Sequence, residues 1–275
     1  MPSENVPKPG ALFQAYGLRT KKRFGQHFLT DPMILKRIVD LGNLTESSKV
    51  LEIGPGCGTL TSEILRRTKH VIAAEIDRDA ASFLREKLGP LGLEVLEGDV
   101  LRADLDEMTF VPSVVIANLP YNVGTKIALQ LIRRGDIYRR LVLMFQKEVA
   151  ERICAEVGSK GYGSLALNVQ LYCDAKIEFT LPGGAFTPPP KVMSAVVTLC
   201  PLEVPRIEDE ALRARFEEVV RSAFKQRRKM ISTSLRQLGL TRDELIERIM
   251  AAGLDPKSRP ETLSFEEFVQ LARRL

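Results

Sequence analysis

Short apolar runs alternate with amphipathic segments along the chain from Lys49 onward. Five of these runs are strand candidates: KVLEIG, VIAAEI, LEVLEG, SVVIAN and RLVLMF. The segments between them carry apolar residues at helical spacing. Strands and helices that alternate in this way build a parallel sheet with helices on both faces. We therefore predict an α/β fold.

Two further strands are predicted after these five. A helix over 146–155, a glycine-rich loop and a second helix come first. Ala175, Ile177 and Phe179 then alternate as strand residues do, and SAVVTL follows the rigid turn TPPPKV as the last strand. The predicted sheet therefore has seven strands and ends near residue 202.

The pattern changes at Pro205, beyond which the chain predicts only short helices. One helix has an apolar stripe over 216–224, and capping boxes at Thr241 and Ser264 each begin another helix. We therefore predict two domains: residues 1–204, of which 1–30 form an N-terminal arm, and a small all-α domain over 205–275.

The charge of the chain favours an anionic partner. Its 40 Lys and Arg residues exceed its 35 Asp and Glu residues, for a net charge of +5. The basic residues also cluster, most densely over Lys225–Lys229 and again over Lys21–Arg23. Such clusters are typical of solvated helix faces as well as of surfaces that bind nucleic acid, so both interpretations stay open.

Composition also narrows the class of protein. The four cysteines and two histidines lack the spacing of metal ligands, so we expect no metal site. No stretch approaches the ~18 apolar residues of a membrane span, and the N terminus has no signal-peptide pattern. We therefore expect a cytoplasmic, monomeric protein with reduced thiols and no membrane partner.

The first predicted strand runs into a glycine-rich turn, LEIGPGCGTL. Glu52 precedes Gly54 and Gly56, and Thr59 stands where a dinucleotide-binding turn usually has its third glycine. The pattern E-x-G-x-G resembles that of class I methyltransferases. It predicts close approach of the backbone to a cofactor, although a purely structural tight turn remains the alternative.

Acidic residues end the next two predicted strands. Glu75 comes about 20 residues after the glycines, where a carboxylate in this fold accepts from both hydroxyls of a ribose. Asp77 is interpreted as a helix cap. At the following strand end, Asp99 is predicted to accept from the amino group of the cofactor adenine. The neighbouring Ile76 and Val100 complete this part of the candidate cofactor site.

The fourth predicted strand closes with Asn118-Leu119-Pro120-Tyr121. This strand end is suited to act on the exocyclic amine of adenine. That amine is a poor nucleophile because its lone pair is delocalised into the ring. The Asn118 side-chain carbonyl and the Leu119 backbone carbonyl can accept its two N–H groups and stabilise the developing positive charge. Pro120 fixes the turn, and Tyr121 can stack on the base. A structural Asn-x-Pro turn is the alternative.

Several motifs together resemble one known family over nearly the whole chain. They are KRFGQHFLTDP, EIGPGCGTLT, AAEID, EGDV, NLPYN, FQKEVAERI, SKGYGSLALNVQLY and AFTPPPKVMSAVV, in the order found in the ribosomal RNA adenine dimethyltransferases. The resemblance implies a class I, Rossmann-like methyltransferase domain with a helical RNA-binding domain after it. It also implies transfer of methyl groups from S-adenosylmethionine to N6 of two adjacent adenines near the 3′ end of small-subunit rRNA.

The resemblance assigns further residues. His27, Leu29, Gly54, Glu75, Asp99 and Asn118 surround the cofactor, with Gln26 beside its methionine end, although many relatives carry Asn at position 27. Phe186 becomes an aromatic partner of the target base together with Tyr121. The immature small ribosomal subunit is the implied partner, and its candidate contacts are Lys21, Lys22, Arg23, Lys147, Arg221, Lys225, Arg227, Arg228 and Lys229.

Two alternatives are weighed against this interpretation. Methyltransferases that modify adenine in large-subunit rRNA and confer antibiotic resistance share the core motifs. The C-terminal segments FKQRRKM and RPETLSFEEFVQLARRL resemble the small-subunit enzymes more closely. A non-catalytic RNA-binding assembly factor on the same fold is the second alternative, and the intact cofactor and Asn118 motifs argue against it.

Overall fold

A computed structural model describes residues 6–17, 27–102 and 110–275 of the protein. The chain divides into two compact units, residues 1–150 with 175–201 and residues 151–174 with 202–275. The second unit therefore includes 151–174, which we predicted in the first domain. The reason is a shared core with the C-terminal helices, in which the Tyr162 hydroxyl donates to the Leu263 carbonyl at 2.9 Å.

The first unit contains the seven-stranded sheet that the sequence predicts. Its strands lie in the order β4-β3-β2-β5-β6-β9-β7, and a separate two-stranded sheet pairs β1 with β8. The strands are β1 (Phe28–Leu29), β2 (Lys49–Ile53), β3 (His70–Glu75), β4 (Leu93–Glu97), β5 (Val114–Asn118), β6 (Arg140–Gln146), β7 (Cys173–Leu181), β8 (Phe186–Thr187) and β9 (Ser194–Pro201).

The sheet is mixed, whereas the sequence predicts a parallel one. The neighbours from β4 to β6 pair in parallel, but β9 lies antiparallel to β6. A parallel neighbour needs a long crossover, usually an α-helix. The chain reaches β9 from β7 through residues 182–193, and this fully described stretch contains no α-helix. Strand β9 therefore departs from the parallel arrangement.

The strand order reverses at β2. The chain first adds β3 and β4 on one side of β2 and then returns to add β5 and β6 on the other side. Residues 50–53 of β2 are all buried, so both faces of the sheet are covered there. In an open α/β sheet, ligands bind at such a reversal, beyond the carboxyl ends of the strands. The glycine turn after β2 and the polar end of β5 meet at this edge.

Two helices of the first unit, α2 (Pro32–Asp40) and α4 (Arg78–Leu88), begin at aspartate caps. Asp31 accepts from the Met33 amide at the start of α2, and Asp77 accepts from the Asp79 amide at the start of α4, as predicted for Asp77. Among the described residues, no helix is long and apolar enough to cross a membrane. The helices are α1 (Pro9–Tyr16), α2 (Pro32–Asp40), α3 (Thr59–Leu65), α4 (Arg78–Leu88), α5 (Gly124–Leu131), α6 (Lys147–Ile153), α7 (Ser164–Tyr172), α8 (Glu210–Lys225), α9 (Ile231–Ser234), α10 (Arg242–Ala251) and α11 (Phe265–Arg274).

The second unit is helical. Both predicted capping boxes are confirmed, one at Thr241 before α10 and the other at Ser264 before α11. Gly253 has a φ of 79° just beyond α10, which suits the predicted helix end. The rings of Phe216 and Phe265 pack 5.0 Å apart and join α8 to α11.

Candidate active site

A cavity of about 210 Å³ opens in the first unit at the carboxyl ends of β2, β3 and β5. The predicted residues that line it are His27, Leu29, Glu52, Gly54, Gly56, Glu75, Ile76, Asp99, Asn118, Leu119, Pro120 and Tyr121. Val100 and Phe186 are not among the lining residues, and Gln26 lies outside the described part of the chain. The structure therefore brings most of the predicted cofactor and catalytic residues into one place.

The glycine turn forms the floor of the cavity. Gly54 and Gly56 have φ values of 66° and 58°, a left-handed conformation that favours glycine. A Cβ added to Gly56 would lie 2.7 Å from Cε1 of Phe28, because the ring of that residue closes over the turn. Glycine at position 56 thus permits both the turn and the close approach of β1.

Glu75 connects the turn to the end of β3. Its Oε2 accepts from the Gly56 amide at 2.9 Å, and its Oε1 accepts from the Asp77 amide at 2.8 Å. Each carboxylate oxygen has two lone pairs, so both can accept a second hydrogen bond from a ligand. Burial raises the pKa of Glu75, and the two backbone amides offset part of the rise.

Glu52 lies one residue before the end of β2 and is only 1% exposed. Its Oε2 has no hydrogen-bond partner among the described residues. Burial raises the pKa of this carboxyl to about 8. Glu52 was included in the predicted cofactor set for its place in the motif, but its unpartnered oxygen could not be predicted.

Asp99 and Ile76 complete the cofactor side of the cavity. Asp99 Oδ1 accepts from the Leu101 amide at 3.0 Å, and Oδ2 lies 3.8 Å from Nε of the exposed Arg102, so the carboxylate retains lone pairs for a further donor. The Ile76 side chain is 51% exposed and offers a flat apolar surface at the same edge.

The cavity is acidic although the chain is basic. Among the described lining residues, three are carboxylic acids, Glu52, Glu75 and Asp99, and none is Lys or Arg. A dinucleotide diphosphate needs positive charge close by. The N terminus of α3 borders the cavity, but the three carboxyl groups would repel a diphosphate, so this lining disfavours it. A ligand with a positive charge fits the lining better. Within the described residues, no cluster of His, Cys, Asp and Glu could hold a metal ion.

Asn118 ends β5 opposite the glycine turn. Its Nδ2 donates to the His27 carbonyl at 3.0 Å. This hydrogen bond fixes the orientation of the side-chain amide and leaves Oδ1 available as an acceptor in the cavity. The Leu119 backbone carbonyl follows directly, and the Pro120 carbonyl accepts from the Gly124 amide at 2.9 Å to close the turn. The two predicted acceptors for an amine are therefore adjacent.

Tyr121 is held from two sides. Its hydroxyl lies 2.8 Å from Ser194 Oγ on β9, and its ring stacks on His27 with the centroids 5.6 Å apart. His27 Nδ1 in turn lies 2.7 Å from the Pro188 carbonyl oxygen. Burial raises the pKa of Tyr121, so the side chain stays neutral and presents an aromatic surface. The supporting role of Ser194 was missed because no sequence pattern indicates this pairing.

Phe186 is a core residue in this structure. It is 3% exposed and belongs to the same hydrophobic core as Leu35 and Met144. In the two-stranded sheet, it pairs with Leu29, and Thr187 pairs with Phe28. Its position favours packing beneath the site over contact with a base in the cavity.

Comparison with known proteins assigns the family. Residues 17–275 match the model of the family described as ribosomal RNA adenine dimethylase. The chain belongs to the ribosomal RNA adenine dimethylase family. A relative from Syntrophotalea carbinolica, named ribosomal RNA small subunit methyltransferase A, is 44% identical over 93% of this chain and 96% of its own. A relative of the same name from Geobacillus sp. (strain WCH70) is 40% identical over 99% of this chain and 98% of its own.

Solved structures agree with this assignment to the adenine dimethylase family. A dimethyladenosine transferase from Plasmodium falciparum matches with a TM-score of 0.75 and 28% identity, over 89% of this chain and 96% of its own. The 23S rRNA methyltransferase ErmE matches with a TM-score of 0.69 and 27% identity, over 90% of this chain and 99% of its own. The predicted fold class, a Rossmann-like methyltransferase sheet with a helical C-terminal region, is confirmed.

Basic residues of this adenine dimethylase family member occur in both units. In the first unit, Lys147 begins α6 and is half-buried, whereas Lys21, Lys22 and Arg23 lie outside the described residues. In the second unit, α8 ends at Lys225, as predicted for the basic cluster. Lys225 Nζ donates to Gln237 Oε1 at 2.9 Å and Arg227 to the Lys160 carbonyl at 2.8 Å. The exposed members of the predicted set are Arg221, Lys225, Arg227, Arg228 and Lys229.

Proposed function

We propose that this protein is an S-adenosylmethionine-dependent methyltransferase that forms N6,N6-dimethyladenosine at two adjacent adenines of small-subunit rRNA. The observation that carries the proposal is the hydrogen bond from Asn118 to His27, which presents an amide oxygen at the mouth of an acid-lined cavity. Membership of the adenine dimethylase family and the names of the relatives support the same reaction and the same RNA.

The cavity lining fits S-adenosylmethionine, which supplies a methyl group from a positively charged sulfonium when bound. Glu75 is the acceptor for the ribose hydroxyls, and Asp99 is the acceptor for the amino group of the cofactor adenine. Ile76 packs against that adenine, and the glycine turn allows the backbone to approach the cofactor. The three buried or half-buried carboxyl groups stabilise a cationic ligand.

The chain then prepares the adenine amine of the substrate. Asn118 Oδ1 and the Leu119 carbonyl accept the two N–H groups, which orients the nitrogen lone pair toward the methyl group. The same acceptors stabilise the positive charge that develops on the nitrogen. After each of the two transfers the charged nitrogen loses one proton to water, and the spent cofactor is exchanged for a second S-adenosylmethionine before the second transfer. Tyr121, fixed by Ser194, supplies the surface on which the extruded base stacks.

RNA binding is assigned to the exposed basic residues. The helical unit presents Arg221, Lys225, Arg227, Arg228 and Lys229, which neutralise rRNA phosphates without reading sequence. Lys147 and the segment Lys21–Arg23 are proposed for the same role. The immature small ribosomal subunit is the partner, and a cytoplasmic location and a monomeric state belong to the same proposal.

One observation supports a second candidate function. The fold also matches the 23S rRNA methyltransferase ErmE over 90% of this chain. Methylation of large-subunit rRNA is therefore the alternative that an experiment has to separate.

The test uses purified protein and labelled S-adenosylmethionine. Small and large ribosomal subunits, taken from a strain that lacks the gene for this protein, are offered separately, and the RNA is digested to nucleosides. We expect N6,N6-dimethyladenosine from the small subunit, formed about 10²–10³-fold more slowly when Asn118→Ala protein is used. Labelled adenosine from the large subunit alone would replace the proposal with the alternative.

A further inference from the structure

Glu52 differs from every other acidic residue of the cavity in having an unused buried oxygen. Both carboxylate oxygens of Glu75 accept backbone amides, and Asp99 accepts the Leu101 amide. Glu52 is 1% exposed, lines the cavity, and has no partner for Oε2 among the described residues. Burying a carboxylate without a hydrogen-bond donor or a cation costs free energy, so we expect this oxygen to bind a ligand group or a proton.

The groups around Glu52 provide no compensating charge. Glu75 on β3 acts on it as a second negative charge, and Thr61 on α3 offers only a hydroxyl. Burial raises the pKa of the Cys57 thiol in the glycine turn to about 12, so Cys57 stays neutral. Farther along the lining lie Asp99 and His27, and no described lining residue is Lys or Arg. Asp77 lies beside Glu75 and is also acidic.

We propose that Glu52 holds a proton in the cofactor-free protein and releases it when the cationic cofactor enters, so that Glu52 favours S-adenosylmethionine over its product. The inference rests on the proposed function, because it takes S-adenosylmethionine as the ligand. On binding, the O–H bond of the Glu52 carboxyl breaks and the proton goes to solvent. After methyl transfer the cofactor sulfur is neutral, and the carboxylate takes a proton back from water.

The sign of the pH dependence follows from linkage. Burial, together with Glu75, raises the pKa of Glu52 to about 8 in the free protein. A cationic ligand lowers that pKa, so the ligand binds more tightly to the ionised form. S-adenosylmethionine affinity should therefore rise by up to about tenfold per pH unit below pH 8 and level off above it. S-adenosylhomocysteine lacks the sulfonium charge and should show a smaller rise.

Proton release by the wild-type protein is the first measurement. Calorimetric titrations at pH 7 in two buffers with different ionisation enthalpies give the number of protons released on binding. We expect a measurable fraction of one proton with S-adenosylmethionine and a smaller fraction with S-adenosylhomocysteine. Equal values for the two ligands, or none for either, would overturn the inference. Absence of S-adenosylmethionine binding would instead count against the proposed function.

The variant Glu52→Gln assigns the proton to this residue. It mimics the protonated carboxyl, so its ratio of affinities for the two ligands should stay constant between pH 6 and pH 8. Asp99→Asn is the matched control, since it removes another cavity carboxyl and should keep the wild-type pH dependence while binding more weakly. Proton release that persists unchanged in folded Glu52→Gln protein would assign the proton elsewhere and refute the proposal.

Discussion

The cavity of the first unit and the end of α8 in the second unit use charge in opposite ways. Three acidic side chains face the cavity, and Glu52 and Glu75 among them are nearly inaccessible to water. The basic segment Lys225–Lys229 is exposed along its whole length. Buried charge interacts strongly with whatever replaces water, whereas exposed charge is screened by salt. The first arrangement suits one specific ligand, and the second suits a polyanion.

The two regions also differ in how firmly their side chains are held. Glu75 accepts two backbone amides, and Asn118 donates to the His27 carbonyl. By contrast, Lys225 and Arg227 each make one hydrogen bond to the surface of the helical unit. Single substitutions should therefore have large effects in the cavity, while basic residues should matter mainly as a group.

The largest effect is expected from Asn118→Ala. Loss of an acceptor that acts on the developing charge should lower the rate of methyl transfer by about 10²–10³-fold, with a smaller effect on RNA binding. Single-turnover methylation of bound small subunits measures this rate. Cofactor affinity and RNA affinity, measured on the same preparation, are the controls. A normal single-turnover rate would remove Asn118 from the catalytic set.

Glu75→Ala should have the next largest effect, and this effect should be a loss of cofactor affinity. Charge-assisted hydrogen bonds worth ~1.5–3 kcal/mol are lost, which corresponds to about 10–150-fold in affinity. Calorimetric titration with S-adenosylmethionine measures the change, and thermal unfolding checks that the turn at Gly56 survives without its partner. Glu75→Gln retains one acceptor and should lose less. Unchanged affinity in folded Glu75→Ala protein would contradict the ribose assignment.

The basic residues of the segment Lys225–Lys229 should contribute to RNA binding as a group. Changing Arg227, Arg228 and Lys229 together to Gln should weaken binding to the immature small subunit and flatten its salt dependence by about two to three units. S-adenosylmethionine affinity should stay the same. The matched control changes Arg242, Arg273 and Arg274 to Gln, an equal loss of charge elsewhere in the helical unit.

One result would overturn this assignment of the basic segment. Cations near a helix C terminus are favoured by the helix dipole even without a partner. If the first triple variant keeps its RNA affinity and salt dependence but unfolds at lower temperature, the segment stabilises the end of α8 and does not bind RNA.

The smallest effect on catalysis is expected from Phe186→Leu. Because Phe186 is buried among core residues, this change should cost about 1 kcal/mol of stability and leave the methylation rate near that of the wild type. Tyr121→Leu is the comparison, since loss of a stacking surface should cost roughly 1–3 kcal/mol of base engagement. A rate for Phe186→Leu as low as that for Tyr121→Leu would restore the stacking role assigned from the family resemblance.

The inner strands of the central sheet could be predicted from the sequence because they are buried on both faces. Continuous apolar runs such as that of β5 occur for this reason, and each predicted run forms a strand. The acidic and amide residues of the cavity could also be placed, because each lies at or next to the end of such a run. Parallel strands bring their carboxyl ends to one edge, so the order of motifs along the chain already implied their proximity.

Features that depend on distant partners could not be predicted. Strands β1 and β8 have two residues each, too few to show any periodicity. They pair with each other although they lie far apart in the sequence. The hydroxyl contact between Tyr121 and Ser194 has the same origin. The segment 151–174 has an ordinary helical pattern, which does not indicate which of two cores it joins. Glu52 Oε2 has no hydrogen-bond partner among the described residues, and this depends on which distant residues pack around it.

The pairing of β1 with β8 has a consequence for the newly made chain. His27 and Pro188 are 161 residues apart, and a connection of that length can close only after Pro188 has left the ribosome. At about 5–20 residues per second, synthesis of the intervening chain takes roughly 8–32 s. A growing chain can therefore close the His27 side of the cavity only late in its own translation.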